Sequence, residues 1–193
     1  MKPNALLVVI SGPSGVGKTT ITHALVDRLS AAFSVSMTTR PITAADTEGV
    51  DYFFVDQAGF DQAIEQGKLL EWARVFDYCY GTPRPPVQEH LEAGRDVILE
   101  IDVKGAIQVK AAMPEALLIF VLPPSEEELL RRLRNRARED ETIIQRRFRE
   151  AQREIAEART CGAYDHFVVN HVLEDAVEEA YRIVADHKQR VST

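Results

Sequence analysis

"ALLVVISGPSGVGKTTITHALVDRL" (residues 5–29) is the stretch on which the reading of this chain turns. An apolar run, Ala5 to Ile10, meets a glycine-rich turn, Gly12 to Thr19, which opens into a helical pattern, "KTTITHALVDRL". "GPSGVGKT" fits G-x-x-x-x-G-K-[ST] without a mismatch and in the strand-to-helix setting that the motif requires. Glycines at 12, 15 and 17 let backbone N–H groups converge on phosphate oxygens; Pro13, Ser14 and Val16 complete the loop, and the helix start adds its dipole. Lys18 is then placed for the β and γ phosphates of a nucleoside triphosphate, and the Thr19 hydroxyl for a magnesium ion.

Working outward, apolar runs rich in Val, Ile and Leu recur with helical patterns between them: "DVILEID" (96–102), "ALLIFVL" (116–122) and "HFVVN" (166–170). Continuous rather than alternating runs predict strands buried on both faces, hence an α/β fold with a mostly parallel central sheet between helices. From Val35 to Tyr80 the character changes to short aromatic and β-branched runs separated by glycines, which predicts a small, partly antiparallel insertion. Ser125 to Arg159 is almost all helix formers; Ser125 with Glu128 matches a capping box after Pro123 and Pro124, and a break near "ARED" divides two helices. No internal repeat or Gly/Ser linker interrupts the 193 residues, so we read one α/β core with two inserted lobes.

The bulk properties limit the partners. With 23 basic against 30 acidic residues, net −7, the surface as a whole suits neither nucleic acid nor an anionic membrane, and an anion must be caught locally. Ala5 to Ile10 is too short to span a bilayer. Cys79 and Cys161, the two cysteines, have no CxxC or CxxH spacing, which fits a reducing cytoplasm and neither a disulfide framework nor a zinc site.

Two further groups attract attention. "VILEID" offers Glu100 and Asp102 two residues apart on one strand face. One of them would fix the metal's water shell or the sugar of an acceptor; the plainer reading is a carboxylate capping the next helix. Nine of the 23 basic residues fall between Arg131 and Arg153, most of them in reach of glutamates at i,i+4. Arg136 and Arg147 flank the "ARED" break, where two arginines on a hinged lid would neutralise a transferring phosphoryl group and exclude water.

The order "GPSGVGKTT", "FSVSMTTR", "GVDYFFV", "LLEWARV", "YGTPR", "VILEIDVKGA", "IFVLPPS" and "VVN" resembles the guanylate kinase family over essentially the whole chain. The resemblance implies a three-layer P-loop fold in three parts: a core of about 1–34, 82–124 and 160–193, an acceptor-binding lobe of about 35–81 and a helical lid of about 125–159. It implies ATP with Mg²⁺ as donor and GMP, with dGMP, as acceptor. Ser36, Glu71 and Thr82 match the guanine readers, Arg40, Tyr52 and Tyr80 the clamp on the GMP phosphate, and Asn170 a position near the donor adenine. The chemistry of the base reading is sensible by itself: guanine shows two donors, N1–H and N2–H, beside an acceptor O6, which a carboxylate and hydroxyls complement. Adenine would turn an N1 lone pair toward Glu71, a mismatch that can cost roughly 10⁴-fold. Taken singly, Tyr52 and Tyr80 are strand aromatics, Glu71 an edge-strand charge, and Ser36, Thr82 and Asn170 turn residues.

The departures from the family pattern fall on the acceptor side. Where that pattern reads "TTRxPRPGE", with a second phosphate-binding arginine, this chain reads "TTRPITAAD" and has Thr43. Losing a bidentate arginine removes roughly 1.5–3 kcal/mol of charge-assisted hydrogen bonding, so GMP binding is expected to weaken unless another group, such as Arg138, supplies the charge. The family's "RGT" in the lid is Arg136, Ala137, Arg138 here, and "NDD" is "NHV", with His171. Two other readings follow from the altered clamp: a phosphotransferase for another nucleoside monophosphate or a sugar phosphate, and a non-catalytic binding module built on the same lobe. Retention of Ser36, Glu71 and Thr82 speaks against the first, and an intact phosphate loop against the second.

Overall fold

The computed structural model describes residues 5–75, 77–136 and 140–191, the side chains of Arg136 and Val191 excepted. In chain order it runs β1 (Leu7–Ser11), α1 (Lys18–Leu29), β2 (Ala32–Phe33), β3 (Ser36–Thr38), β4 (Tyr52–Phe54), α2 (Gln57–Glu65), β5 (Leu69–Val75) and β6 (Tyr78–Pro83). Then come α3 (Arg84–Glu92), β7 (Val97–Glu100), α4 (Val103–Ala112), β8 (Leu117–Leu122), α5 (Glu126–Arg136), α6 (Glu141–Thr160), β9 (His166–Val169) and α7 (Leu173–Val191).

The unbroken apolar character of Leu7–Ile10 in β1 has a direct cause, because its alternating side chains feed two separate cores. Val8 and Ile10 pack with Ile21 and Leu25 of α1 and with Ala176, Val177, Ala180 and Val184 of α7. Leu7 and Val9 point the other way, to Val87 of α3, Ala106 and Val109 of α4, and Leu99 and Leu118 of the neighbouring strands. Each such buried aliphatic side chain is worth ~1.5–3 kcal/mol, so a polar residue on either face of β1 would lose a core contact, and alternation is not tolerated. The result is three layers: helices, a sheet of order β2-β7-β1-β8-β9 and helices again. All four pairings in that sheet are parallel, as the continuous runs predict. β2, only two residues long, is too short to show a pattern in sequence.

The second sheet, of order β4-β3-β6-β5, is mixed: β3 and β4 run parallel, whereas β6 is antiparallel to both β3 and β5. It carries its own small core of Phe60, Ala63, Leu69 and Cys79, with α2 capped by Asp56, whose Oδ1 accepts the Gly59 N–H at 2.8 Å. Glu126–Arg136 and Glu141–Thr160 form the expected helix pair, joined through Leu129, Leu133, Ile144 and Ala151, and residues 137–139 of the "ARED" break lie outside the described residues. Ser125 Oγ accepts the Glu128 N–H at 3.1 Å, which is the first half of the capping box. The second half is absent: the Glu128 carboxylate turns to Arg131 and Arg132 instead, because two guanidinium groups outcompete one backbone N–H for an exposed carboxylate. Among the described residues no helix is long and apolar enough to cross a membrane.

One expectation needs correction. Glu100 and Asp102 do not alternate along one strand, because β7 stops at Glu100 and Asp102 is the N-cap of α4, its Oδ1 accepting the Gly105 N–H at 2.8 Å. The cap satisfies an otherwise orphaned helix N–H, which a straight continuation of the strand would not do.

Candidate active site

The loop Gly12–Thr19 sits where the central strand ends, and its conformation needs glycine. Gly17 caps α1 with φ 97°, and a Cβ there would fall 2.5 Å from the Asn170 side-chain nitrogen; at Gly12 it would fall 2.5 Å from the Val121 carbonyl oxygen. Val16 anchors the loop from below, fully buried in the α1/α7 core. Lys18 Nζ donates to the carbonyls of Gly12 (2.6 Å) and Pro13 (3.0 Å), folding the lysine back over the cradle. Thr19 Oγ1 donates to Glu100 Oε1 at 2.9 Å, across the parallel β1–β7 pair that brings Glu100 beside Ile10.

A cavity of about 670 Å³ joins this loop to the second sheet. Lys18, Thr19 and Ser14 line one end, Ser36, Tyr52, Glu71 and Tyr80 the other, with Glu100 and Asp102 between them. Strand register explains the gathering. Ser36 pairs with Tyr52 across β3–β4, and Glu71 with Thr82 across β5–β6, next to a register shift between Leu69 and Glu71 of the kind that re-aims a side chain. Thr82 lies behind the cavity wall and donates its hydroxyl to Glu71 Oε1 at 2.7 Å. Glu71 is only 5% exposed, and burial pushes its carboxyl up to about 7; the Thr82 hydrogen bond partly opposes this, and Asp102 adds to it. Its other oxygen, Oε2, lies 2.5 Å from where a Cβ on Gly105 would stand, so "IDVKGA" needs its glycine for a close approach.

Arg40 is not among the residues that line this cavity. It stands behind Tyr52, its guanidinium carbon 5.4 Å from the ring centroids of both Tyr52 and Phe54, and its fork is held by Asp46 at 2.8 and 3.0 Å. Tyr52 and Tyr80 meet edge to face at 5.8 Å, and Tyr52 is buried enough to raise its phenol. Thr43 points at Asp46 as well, through its N–H (2.8 Å) and hydroxyl (2.6 Å).

From α6, Arg147 Nη2 donates to Ser14 Oγ at 2.6 Å, so this helix reaches the Gly12–Thr19 loop. Arg136 ends α5, and its side chain, like the whole of Arg138, lies outside the described residues. The plain reading of i,i+4 pairing holds for Arg132, on Glu128; Arg131 reaches the same glutamate at i,i+3, and Arg134 pairs instead with Glu141 of the next helix, seven residues on. Sequence reasoning missed Glu154 of α6. It lines both the 670 Å³ cavity and an adjoining one of about 730 Å³ bounded by Arg74, Lys104, Arg147 and Arg153, and burial raises its carboxyl to about 7. A lone glutamate in a charge-rich helix carries no local signal that would have found it.

Asn170 also proves to be more than a turn former. Nearly buried, it donates Nδ2–H to the Val16 carbonyl at 2.8 Å and so pins the phosphate loop, while its backbone carbonyl accepts from Arg132 Nη2 at 3.0 Å. With Gly15, Gly17, Arg132, Asn135 and His171 it borders a third cavity of about 380 Å³. His171, to which the sequence reading assigns nothing, thus lies beside the loop.

Comparison with known proteins agrees with this arrangement. The family model described as guanylate kinase matches residues 4–187. A guanylate kinase of Thermus thermophilus is 45% identical over 184 residues, 95% of this chain and 82% of that protein. One of Thermobifida fusca is 46% identical over 180 residues, 93% of this chain and 90% of that protein. The crystal structure of guanylate kinase from Anaplasma phagocytophilum superposes with a TM-score of 0.75 at 31% identity, covering 97% of this chain and 87% of that one. A phosphate loop and a buried carboxylate facing each other across one cavity, and sequence likeness running nearly end to end, place this chain in the guanylate kinase family.

Proposed function

We propose that the protein transfers the γ-phosphoryl group of ATP to GMP, and to dGMP, releasing ADP and the nucleoside diphosphate. The observation that carries this reading is the shared cavity: Lys18 at one end, the buried pair Glu71–Thr82 at the other. Glu71 ionised accepts the guanine N1–H and N2–H, while Ser36 supplies a hydroxyl near O6. Tyr52 and Tyr80 face the acceptor phosphate with Arg40 behind them as its charge, and the loop N–H groups with Lys18 face the donor phosphates, so the two phosphates are held apart at a fixed orientation. Phosphoryl transfer runs mainly on such positioning and on charge stabilisation, and no protein base is required. Arg147, already touching Ser14, and Arg136 add positive charge from the lid as residues 125–159 close over the core and the acceptor lobe of 35–81.

The Thr19 hydroxyl and the Glu100 carboxylate form a hard-oxygen pair of the kind Mg²⁺ accepts, and Mg²⁺ commonly takes one or two protein oxygens with the rest from phosphates and water. Bound there, it would neutralise charge on the β and γ oxygens. Asn170, Arg132 and His171 border the space beyond the loop where the donor base would lie. The reading places the enzyme in the cytoplasm, whose reducing conditions suit two free cysteines. A sugar-phosphate acceptor would leave the buried Glu71 with no donor beyond Thr82, and a binding module would have no use for Lys18 over an intact cradle.

A panel of GMP, dGMP, AMP, CMP, UMP and ribose phosphates, assayed with ATP and with or without Mg²⁺, tests this. GMP and dGMP turnover that depends on Mg²⁺ is expected; preference for AMP or a sugar phosphate would reject the reading.

A further inference from the structure

We infer that Asp46 is a positioning residue of the acceptor phosphate clamp: anchored by Thr43, it holds Arg40 with one edge of the guanidinium turned out for a phosphate. The inference rests on the proposed function and deepens its acceptor side. A guanidinium has five N–H donors in one plane. In Arg40, Nη1 donates to the Pro41 carbonyl (3.2 Å) and Asp46 Oδ2 (3.0 Å), and Nη2 donates once to Asp46 Oδ1 (2.8 Å). The two donors that remain, Nε–H and the second Nη2–H, lie side by side on one edge and have no partner among the described residues. That edge is the shape that takes a carboxylate or phosphate bidentately.

The rest of the guanidinium is fixed. Tyr52 and Phe54 hold its plane at 5.4 Å each, and the Asp46 side chain is itself largely covered, with 14% exposure against 24% for Arg40. Asp46 Oδ2 accepts the Thr43 N–H and hydroxyl besides Nη1 of Arg40, and these contacts keep the carboxyl ionised, well below the usual carboxylate range. Thr43 stands where the family pattern has its second arginine. Here the position supplies no charge to a ligand; it secures the acid that aims the one arginine. Had Asp46 taken the Nε–Nη2 edge it would compete with phosphate, but it takes the far end of the fork.

The test is calorimetric titration of the intact protein with GMP and, separately, with guanosine, which lacks the phosphate, alongside steady-state kinetics. Asp46→Ala is expected to raise Kd and KM for GMP about tenfold, the loss of one ordered charge-assisted contact, with guanosine affinity, kcat and KM for ATP changed less than about twofold. Asp46→Glu recovers part of the loss, and Thr43→Ala shows a smaller loss of the same kind. Unchanged or tighter GMP binding by Asp46→Ala would overturn the inference, the latter meaning that Asp46 competes with phosphate. Parallel loss of guanosine affinity would overturn it too, since the acid would then merely support the lobe. Wild-type protein that binds neither GMP nor guanosine would instead reject the functional reading itself.

Discussion

The end of the cavity proposed for the donor draws its groups from one run, Gly12 to Thr19, and mostly from backbone N–H groups, whereas the end proposed for the acceptor draws Ser36, Tyr52, Glu71, Tyr80 and Thr82 from four strands. The first is anchored by Val16 in the main core and by Asn170 from the far edge of the sheet. The second depends on register, on a strand irregularity beside Glu71, and on a glycine of another helix leaving room. A backbone cradle tolerates side-chain change wherever Cβ has space and fails at its glycines and its lysine. A side-chain site is only as good as the elements that hold each group, so its weak points lie outside the residues that touch ligand.

The largest effect tests the donor end. Lys18→Ala removes the side-chain charge that the phosphate loop itself is proposed to aim at the transferring group, and turnover should fall by roughly 10²–10³-fold, the loss seen when a preorganised electrostatic donor is deleted. Near-normal turnover in a stopped-flow or coupled assay would mean that the cradle's backbone suffices and the comparison is wrong.

Next comes a residue that need not touch ligand at all. Gly105→Ala puts a methyl 2.5 Å from Glu71 Oε2 and 3.0 Å from its carboxyl carbon, so the carboxylate must shift. The ratio of kcat/KM for GMP over AMP should drop by roughly 10–100-fold, the scale of a displaced hydrogen-bonding group, while the thermal midpoint changes little. An unaltered ratio would show that Glu71 is not the discriminating group.

The remaining test concerns pH, where the effect is graded rather than all at once. The Glu71 carboxyl is raised from 4.5 to about 7 in the folded protein, so its contribution to stability is fully present below about pH 4.5 and lost as pH rises through 7. Linkage sets the size at ~3 kcal/mol at most for a shift of this order. GMP binding has the opposite sign, because guanine needs the ionised carboxylate, and affinity should fall about tenfold per pH unit below 7. Melting curves from pH 5 to 8 should thus show the ligand-free protein gaining stability on acidification, and more so than Glu71→Gln, while the shift on adding GMP shrinks. A GMP shift independent of pH would contradict the ionised reader.

Much of the fold was legible because its causes are local. The strand-to-helix turn at Gly12–Thr19, the helix opening at Ser125 and the two-faced burial of "LLVVI" each follow from a few neighbouring residues. The helix after Asp56 and the two-residue β2 were not read, since short elements held by a sheet edge carry little pattern. Ser36, Glu71 and Thr82 were legible as a set only through likeness to a family; taken singly each fits a strand or turn.

The sequence by itself thus determined the phosphate loop, the parallel core and the order of the parts, because backbone conformation and hydrophobic period are encoded within a few turns of chain. Tertiary structure alone decided what the charged groups do. It buried Glu71 against Gly105 of a distant helix and so moved its titration toward neutrality. It gave Asp102 to a helix cap and Asn170 to the loop, and set Asp46 and Thr43 behind Arg40. The physical reason is that desolvation and ion pairing depend on which groups meet in space, and strand register and crossover helices bring those groups together from far along the chain.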